Sequence, residues 1–160
     1  MGYAYVCKLP KSKQKEFREK MIPSPFRKQT IEETLKEFEL MRCGFYGEGE
    51  AVLRARIDYK SVDQLMRDPV LYRIMYTPHP VTLSQWCIYP MYDYSHPLVD
   101  SFENVTHSCC TLEFEVRRDL YYWPLKVLNL YRPYVWEFSR LNVTYTMLSK
   151  RKIIELVNQG

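Results

Sequence analysis

No stretch of this chain approaches the ~20 apolar residues needed to span a bilayer as a helix. Its start, MGYAYVCKLPKSKQ, lacks the apolar core of a secretory leader. The Asn-x-Thr sites at Asn104 and Asn142 therefore read as chance matches to a glycosylation signal. Five cysteines (Cys7, Cys43, Cys87, Cys109 and Cys110) are an odd number with no Cys-x-x-Cys pair, which argues against a zinc site or a disulfide framework. It also favours a reducing compartment, so the expectation is a cytoplasmic protein with no membrane partner. Glycine is scarce, and three of the five glycines fall in one turn-like stretch, GFYGEGE. No spacing singles out a nucleophile with its base, or a general acid–base pair.

What is present is a core. The 160 residues are 46% hydrophobic, enough for a globular domain and too much for a disordered chain. Aromatics reach 15%, with Tyr at 14 outnumbering Phe at 7 and Trp at 3. The net charge of +4 permits a polyanionic partner without requiring one.

Periodicity divides the chain in two. GYAYVCKL reads as a strand, and the charged stretch from Ser12 to Met21 as a helix stopped by Pro23 and Pro25. Thr30-Ile-Glu-Glu33 fits a capping box, and Ile31, Leu35, Phe38 and Met41 recur at helical spacing up to Gly44. AVLRARI (51–57) alternates apolar and basic residues, which predicts a strand with Arg54 and Arg56 on one wet face. VLYRIMY (70–76) is a second such strand, and Pro78 and Pro80 mark a junction. Beyond it, short strands at WCIYP, THSCCT and YVWEF alternate with helices over Tyr92 to Phe102 and Phe114 to Leu130. Pro124 is expected to kink or split the second of these helices. This alternation predicts a parallel α/β sheet with about half its strands missing.

Ligands of open parallel sheets bind at the carboxyl ends of strands. Tyr92, Asp93 and His96 fall past the first of these strands, Cys110, Thr111 and Phe114 past the second, and Arg140 and Asn142 past the third. Tyr92 and Phe114 fit either core aromatics or the walls of a cleft, His96 either a structural role or a ligand, and Cys110 a small buried apolar group. Arg140 fits a pairing with Glu137. LSKRK places Lys150, Arg151 and Lys152 in the first turn of a helix that Ser149 would cap. Cations there cost a few tenths to ~1 kcal/mol each, so the turn is either a solvated face or a site for an anion.

Three segments then carry a resemblance: MRDPVLYRI, WCIYPMYDYSHPLVDSFENVTHSCCTLEF and WEFSRLNVTYTMLSKRK are closely similar to the glutaminyl-tRNA synthetases of class I. The similarity extends weakly from Tyr3 and strongly from Ser24 onward. It implies the second half of a Rossmann-type nucleotide-binding fold with an inserted α+β subdomain that grips the acceptor end of tRNA. By residue number, 1–7 would end the first half of that fold, 8–80 would be the insertion, and 81–160 the second half. LSKRK resembles the second class I signature, Lys-Met-Ser-Lys-Ser. The resemblance gives Lys150 a catalytic role in stabilising the ATP phosphates as the aminoacyl-adenylate forms. It also implies ATP contacts from Thr111, Arg140, Leu141, Leu148 and Ser149, and an amino-acid pocket of Tyr92, His96, Cys110 and Phe114. Arg54, Arg56 and Arg67 become candidate tRNA phosphate contacts.

The substrates implied are ATP with Mg²⁺, L-glutamine and the glutamine-accepting tRNA, with no tightly bound metal or organic cofactor and a monomeric complete enzyme. Three departures accompany the resemblance. The His-x-Gly-His signature is absent, so this chain alone is not expected to activate glutamine. The loop from Glu19 to Ser24 is shorter than in relatives. Val135 stands where a pocket glutamine is usual, which keeps a glutamyl-tRNA synthetase open as an alternative. A non-catalytic tRNA-binding module on the same half-fold is the other.

Overall fold

Tyr5, Val6 and Cys7 are all buried, so the first strand, β1 (Ala4–Cys7), is covered on both faces. Its outer edge is covered too: the side chain of Gln29 accepts from the Val6 N–H at 2.9 Å, which blunts an otherwise open strand. The computed structural model describes residues 1–139, 141, 143–147 and 149–159. Helix α1 (Lys11–Glu19) follows, then a 3₁₀ turn at Pro25–Lys28 and helix α2 (Ile31–Arg42). The capping box expected for α2 is present in both halves. Thr30 Oγ1 accepts from the Glu33 N–H at 3.2 Å, and a Glu33 carboxylate oxygen accepts from the Thr30 N–H at 2.8 Å. The helix stops just before Gly44, which adopts the left-handed conformation (φ +76°) that a side chain would resist.

Strands β2 (Val52–Ala55), β3 (Val70–Ile74) and β4 (Ile88–Pro90) complete one antiparallel sheet in the order β1-β2-β3-β4. The expectation that WCIYP opens the parallel sheet is corrected here, because β4 pairs antiparallel with β3. A parallel return needs a long crossover, usually helical. Residues 75–87 carry Pro78 and Pro80 and instead fold back as a hairpin, closed by the Met75 N–H on the Cys87 carbonyl at 2.9 Å. One sheet therefore takes strands from all three stretches that the sequence separated. Its faces bury Val6, Leu53, Leu71, Ile74 and Ile88 against Met41 of α2.

Helix α3 covers Tyr92–Phe102, the residues expected for it. Strands β5 (His107–Thr111) and β6 (Tyr134–Phe138) are parallel, joined by a 3₁₀ turn at Leu112–Arg117 and helix α4 (Arg118–Val127). This is the βαβ unit that the alternation predicted, with two strands where three were expected. The expected long helix from Phe114 is shortened, because its first residues form the 3₁₀ turn. Pro124 lies inside α4 without splitting it. Leu125, Tyr121 and Val135 make a second small core beneath the strands. The chain ends in α5 (Lys150–Gln159), all of whose residues are exposed.

Candidate amino-acid pocket

The first turn of α3 places Tyr92 and His96 four residues apart on one face, where their rings stack at 5.1 Å between centroids and 21° between planes. One further turn along, Asp100 faces His96, with Nε2 and Oδ2 3.1 Å apart. The same carboxylate oxygen accepts from Ser108 Oγ of β5 at 2.7 Å and from the Tyr121 hydroxyl of α4 at 2.9 Å. Asp100 thus ties α3, β5 and α4 into one polar network behind the imidazole. Burial and this bond together push the Tyr121 hydroxyl well above the usual tyrosine range.

Strand alternation sends Ser108 and Cys110 of β5, and Val135 and Glu137 of β6, towards the same space. The 3₁₀ turn swings Phe114 and Arg117 over it, with the Phe114 ring 6.1 Å from that of Tyr92 and the Arg117 guanidinium 5.9 Å from the Phe114 ring. The result is a cavity of about 30 Å³ between the paired strands β5 and β6 and the helices α3 and α4. Two ion pairs border it. Arg117 holds Asp93 through Nη1 at 2.5 and 2.6 Å, and Arg118 grips both carboxylate oxygens of Glu137. The Glu137 side chain is only 2% exposed, and the Arg118 hydrogen bonds hold its carboxyl below the usual carboxylate range. Partial burial raises the Cys110 thiol, which keeps it a neutral wall group.

All four residues expected for an amino-acid pocket, Tyr92, His96, Cys110 and Phe114, line this one cavity. Five participants were missed: Asp100, Ser108, Arg117, Arg118 and Tyr121. The spacing from His96 to Asp100, one helical turn, was the signal available for one of them. Glu137, for which Arg140 offered one pairing, is held by Arg118, while Arg140 itself lies outside the described residues.

The residues expected at ATP are more scattered. Thr111 ends β5 beside the cavity, and Leu141 is exposed. Ser149 accepts from the Lys152 N–H at 3.5 Å and, through its carbonyl, from the Ile153 N–H at 3.0 Å, so it starts α5 as expected. Lys150 is the first, exposed residue of that helix. Arg140 and Leu148, like Asn142, lie outside the described residues.

The expected wet face at Arg54 is corrected, and Arg67 is buried as well. Arg54 is 8% exposed and Arg67 7%. Arg54 donates to the Asp68 carbonyl at 2.6 Å and to Gln14 of α1 at 2.8 Å, and a β-bulge after Leu53 brings it there. Arg67 is consumed by the carbonyls of Ser61, Arg18 and Val62. Helix α1 and the 61–68 loop cover the face that alternation marked as wet. Arg56 is partly exposed, with one terminal nitrogen on the Gln29 carbonyl at 2.8 Å.

A βαβ unit with an aromatic, ion-paired cavity against its two parallel strands has the architecture of half a nucleotide-binding fold. The family model for the catalytic domain of class I tRNA synthetases (E and Q) matches residues 1–160, and the chain belongs to that family. It is 59% identical over 156 residues to the probable glutamine–tRNA ligase of Dictyostelium discoideum, covering 98% of this chain and 20% of that protein. It is 55% identical over 158 residues to the glutamine–tRNA ligase of Lupinus luteus, covering 99% of this chain and 20% of that one. The ligase of Vibrio parahaemolyticus is 48% identical over 163 residues, covering 99% and 29%. The chain thus spans about a fifth of the length of its Dictyostelium and lupin relatives. A glutamate tRNA ligase from Elizabethkingia meningosepticum shares the fold, with a TM-score of 0.56 and 15% identity over 97% of this chain and 33% of that one.

Proposed function

We propose that this chain is the central part of the catalytic domain of an ATP-dependent glutamine–tRNA ligase, which activates glutamine as its adenylate and transfers it to the 3′ end of tRNA. The observation that carries the reading is the convergence of Tyr92, His96, Cys110 and Phe114 on one cavity. The high identity to glutamine–tRNA ligases over nearly the whole chain supports it. In this reading the cavity holds the glutamine side chain against Tyr92, and ATP, with Mg²⁺ on its phosphates, lies between Thr111 and the LSKRK turn. Lys150 stabilises the charge that develops on those phosphates. Residues 81–160 form the nucleotide-fold half and residues 8–80 the acceptor-binding part, where Arg56 is the remaining phosphate candidate of the three arginines. A cytoplasmic, monomeric complete enzyme completes the proposal.

The deciding experiment is amino-acid-dependent ATP–pyrophosphate exchange by the complete protein that contains this chain. Exchange driven by glutamine supports the proposal. Exchange driven by glutamate would assign the pocket to a glutamyl enzyme, and no exchange with either would leave a tRNA-binding module.

A further inference from the structure

Every cation lining the cavity among the described residues is already engaged. Arg117 is held by Asp93 and Arg118 by Glu137, while His96 faces Asp100. Three carboxylates, Asp93, Asp100 and Glu137, stand against two guanidiniums and the His96 imidazole, and Asp100 lies directly behind His96. Among the described residues such a site offers an incoming carboxylate no free guanidinium as counter-ion, a penalty that an amide does not meet. The asymmetry between the two ion pairs is informative. Asp93 sits on the accessible first turn of α3, whereas Glu137 is nearly sealed and presents both oxygens to Arg118, the geometry that fixes a guanidinium most firmly.

We propose that Glu137 is a specificity-determining positioning residue: by clasping Arg118 it denies a substrate carboxylate its counter-ion, so that the pocket takes the amide of glutamine and rejects glutamate. The inference rests on the reading of this cavity as the amino-acid pocket. Glu137 acts through Arg118 and touches no reacting atom. It gives the neutral Val135 beside it a context, since rejection of the anion then needs no polar group at that position.

The test is steady-state pyrophosphate exchange by the complete enzyme with glutamine and with glutamate, for Glu137→Gln, Glu137→Asp and Glu137→Gln combined with Arg118→Leu. The Gln variant keeps the side chain's size and frees the guanidinium. It should shift the glutamine-to-glutamate ratio of kcat/KM by ~10-fold or more towards glutamate, mainly through the glutamate KM. Glu137→Asp should retain the original ratio, and the double variant should reject glutamate again. Equal losses for both amino acids in Glu137→Gln would mean a merely structural pair and overturn the proposal. A Cys110→Phe variant separates the two layers of argument. If filling the cavity leaves the glutamine KM unchanged, the pocket assignment itself fails and the role of Glu137 falls with it. If filling raises that KM while Glu137→Gln leaves the ratio intact, only the role of Glu137 is refuted.

Discussion

The Tyr121 hydroxyl donates to Asp100 at 2.9 Å, and a second buried tyrosine, Tyr5, repeats the arrangement with Asp68 at 3.2 Å in the other sheet. Both hydroxyls have their pKa raised from 10.0, first by burial and then by the adjacent carboxylate. The unfolded chain releases these protons near 10 while the folded chain retains them. Stability that is complete below pH ~10 is therefore lost as the pH rises towards the folded values. Urea midpoints measured between pH 8 and 11 should fall above ~10, and Tyr5→Phe should flatten part of that fall. A pH-independent midpoint would contradict the pairing.

Asp68 is the stronger test of the first sheet. Its side chain, 5% exposed, also accepts from Arg27 Nε at 2.7 Å and from the Ile57 N–H at 2.9 Å. Asp68→Ala removes an acceptor from the partly exposed Arg27 guanidinium and from the Ile57 N–H, and should cost ~1–3 kcal/mol in urea denaturation. Asp68→Asn should cost less, because asparagine tolerates the φ of +44° found there.

Much of this was legible in the sequence, for local reasons. Capping residues and helical spacing set out α2, and the run from Tyr92 to Phe114 reads as helix then strand, although Cys110 lines the cavity from within β5 and not from past its end. What escaped was tertiary. Alternation marks Arg54 as solvent-facing, but it cannot show that Gln14 of α1 and the Asp68 carbonyl close over it. Nothing local marks Arg118 as a partner of Glu137, because that contact depends on where α4 lies against β6. The direction of β4 likewise depends on a loop folding back on itself.

Leu83 marks a strained loop. It holds φ +53° while 65% exposed, and it donates its N–H to the His79 carbonyl at 2.8 Å. A leucine in the left-handed region costs ~1–2 kcal/mol that little burial offsets. Leu83→Gly should therefore raise stability by ~0.5–1 kcal/mol after the entropy lost by glycine is counted. Thermal denaturation would detect it, and a lower midpoint would show that the leucine packs better than its exposure implies.

The buried arginines predict a separation of effects. Arg67→Ala leaves the carbonyls of Ser61, Arg18 and Val62 without their donor, so it should destabilise the fold by ~1–3 kcal/mol. Its effect on tRNA affinity in the complete protein should be small at temperatures where the variant is folded. Arg56→Ala should do the reverse if it meets a phosphate, weakening tRNA binding and lowering its salt dependence by about one phosphate contact. Filter binding across a salt series reads both.

Lys150, Arg151 and Lys152 occupy the first turn of α5, and no acidic residue accompanies them there. That turn is the positive end of the helix, so three cations oppose its formation. Their presence is accounted for if the proposed ATP phosphates supply the missing negative charge. Two measurements on Lys150→Ala should then diverge. Glutamine-dependent exchange by the complete enzyme should slow by at least ~10²-fold, as expected for a lost transition-state donor. Stability without ATP should stay level or rise by a few tenths of a kcal/mol, because one unfavourable charge has gone. A residue kept for folding would show the opposite pair of results, with stability falling and exchange intact, and that would remove Lys150 from the proposed chemistry.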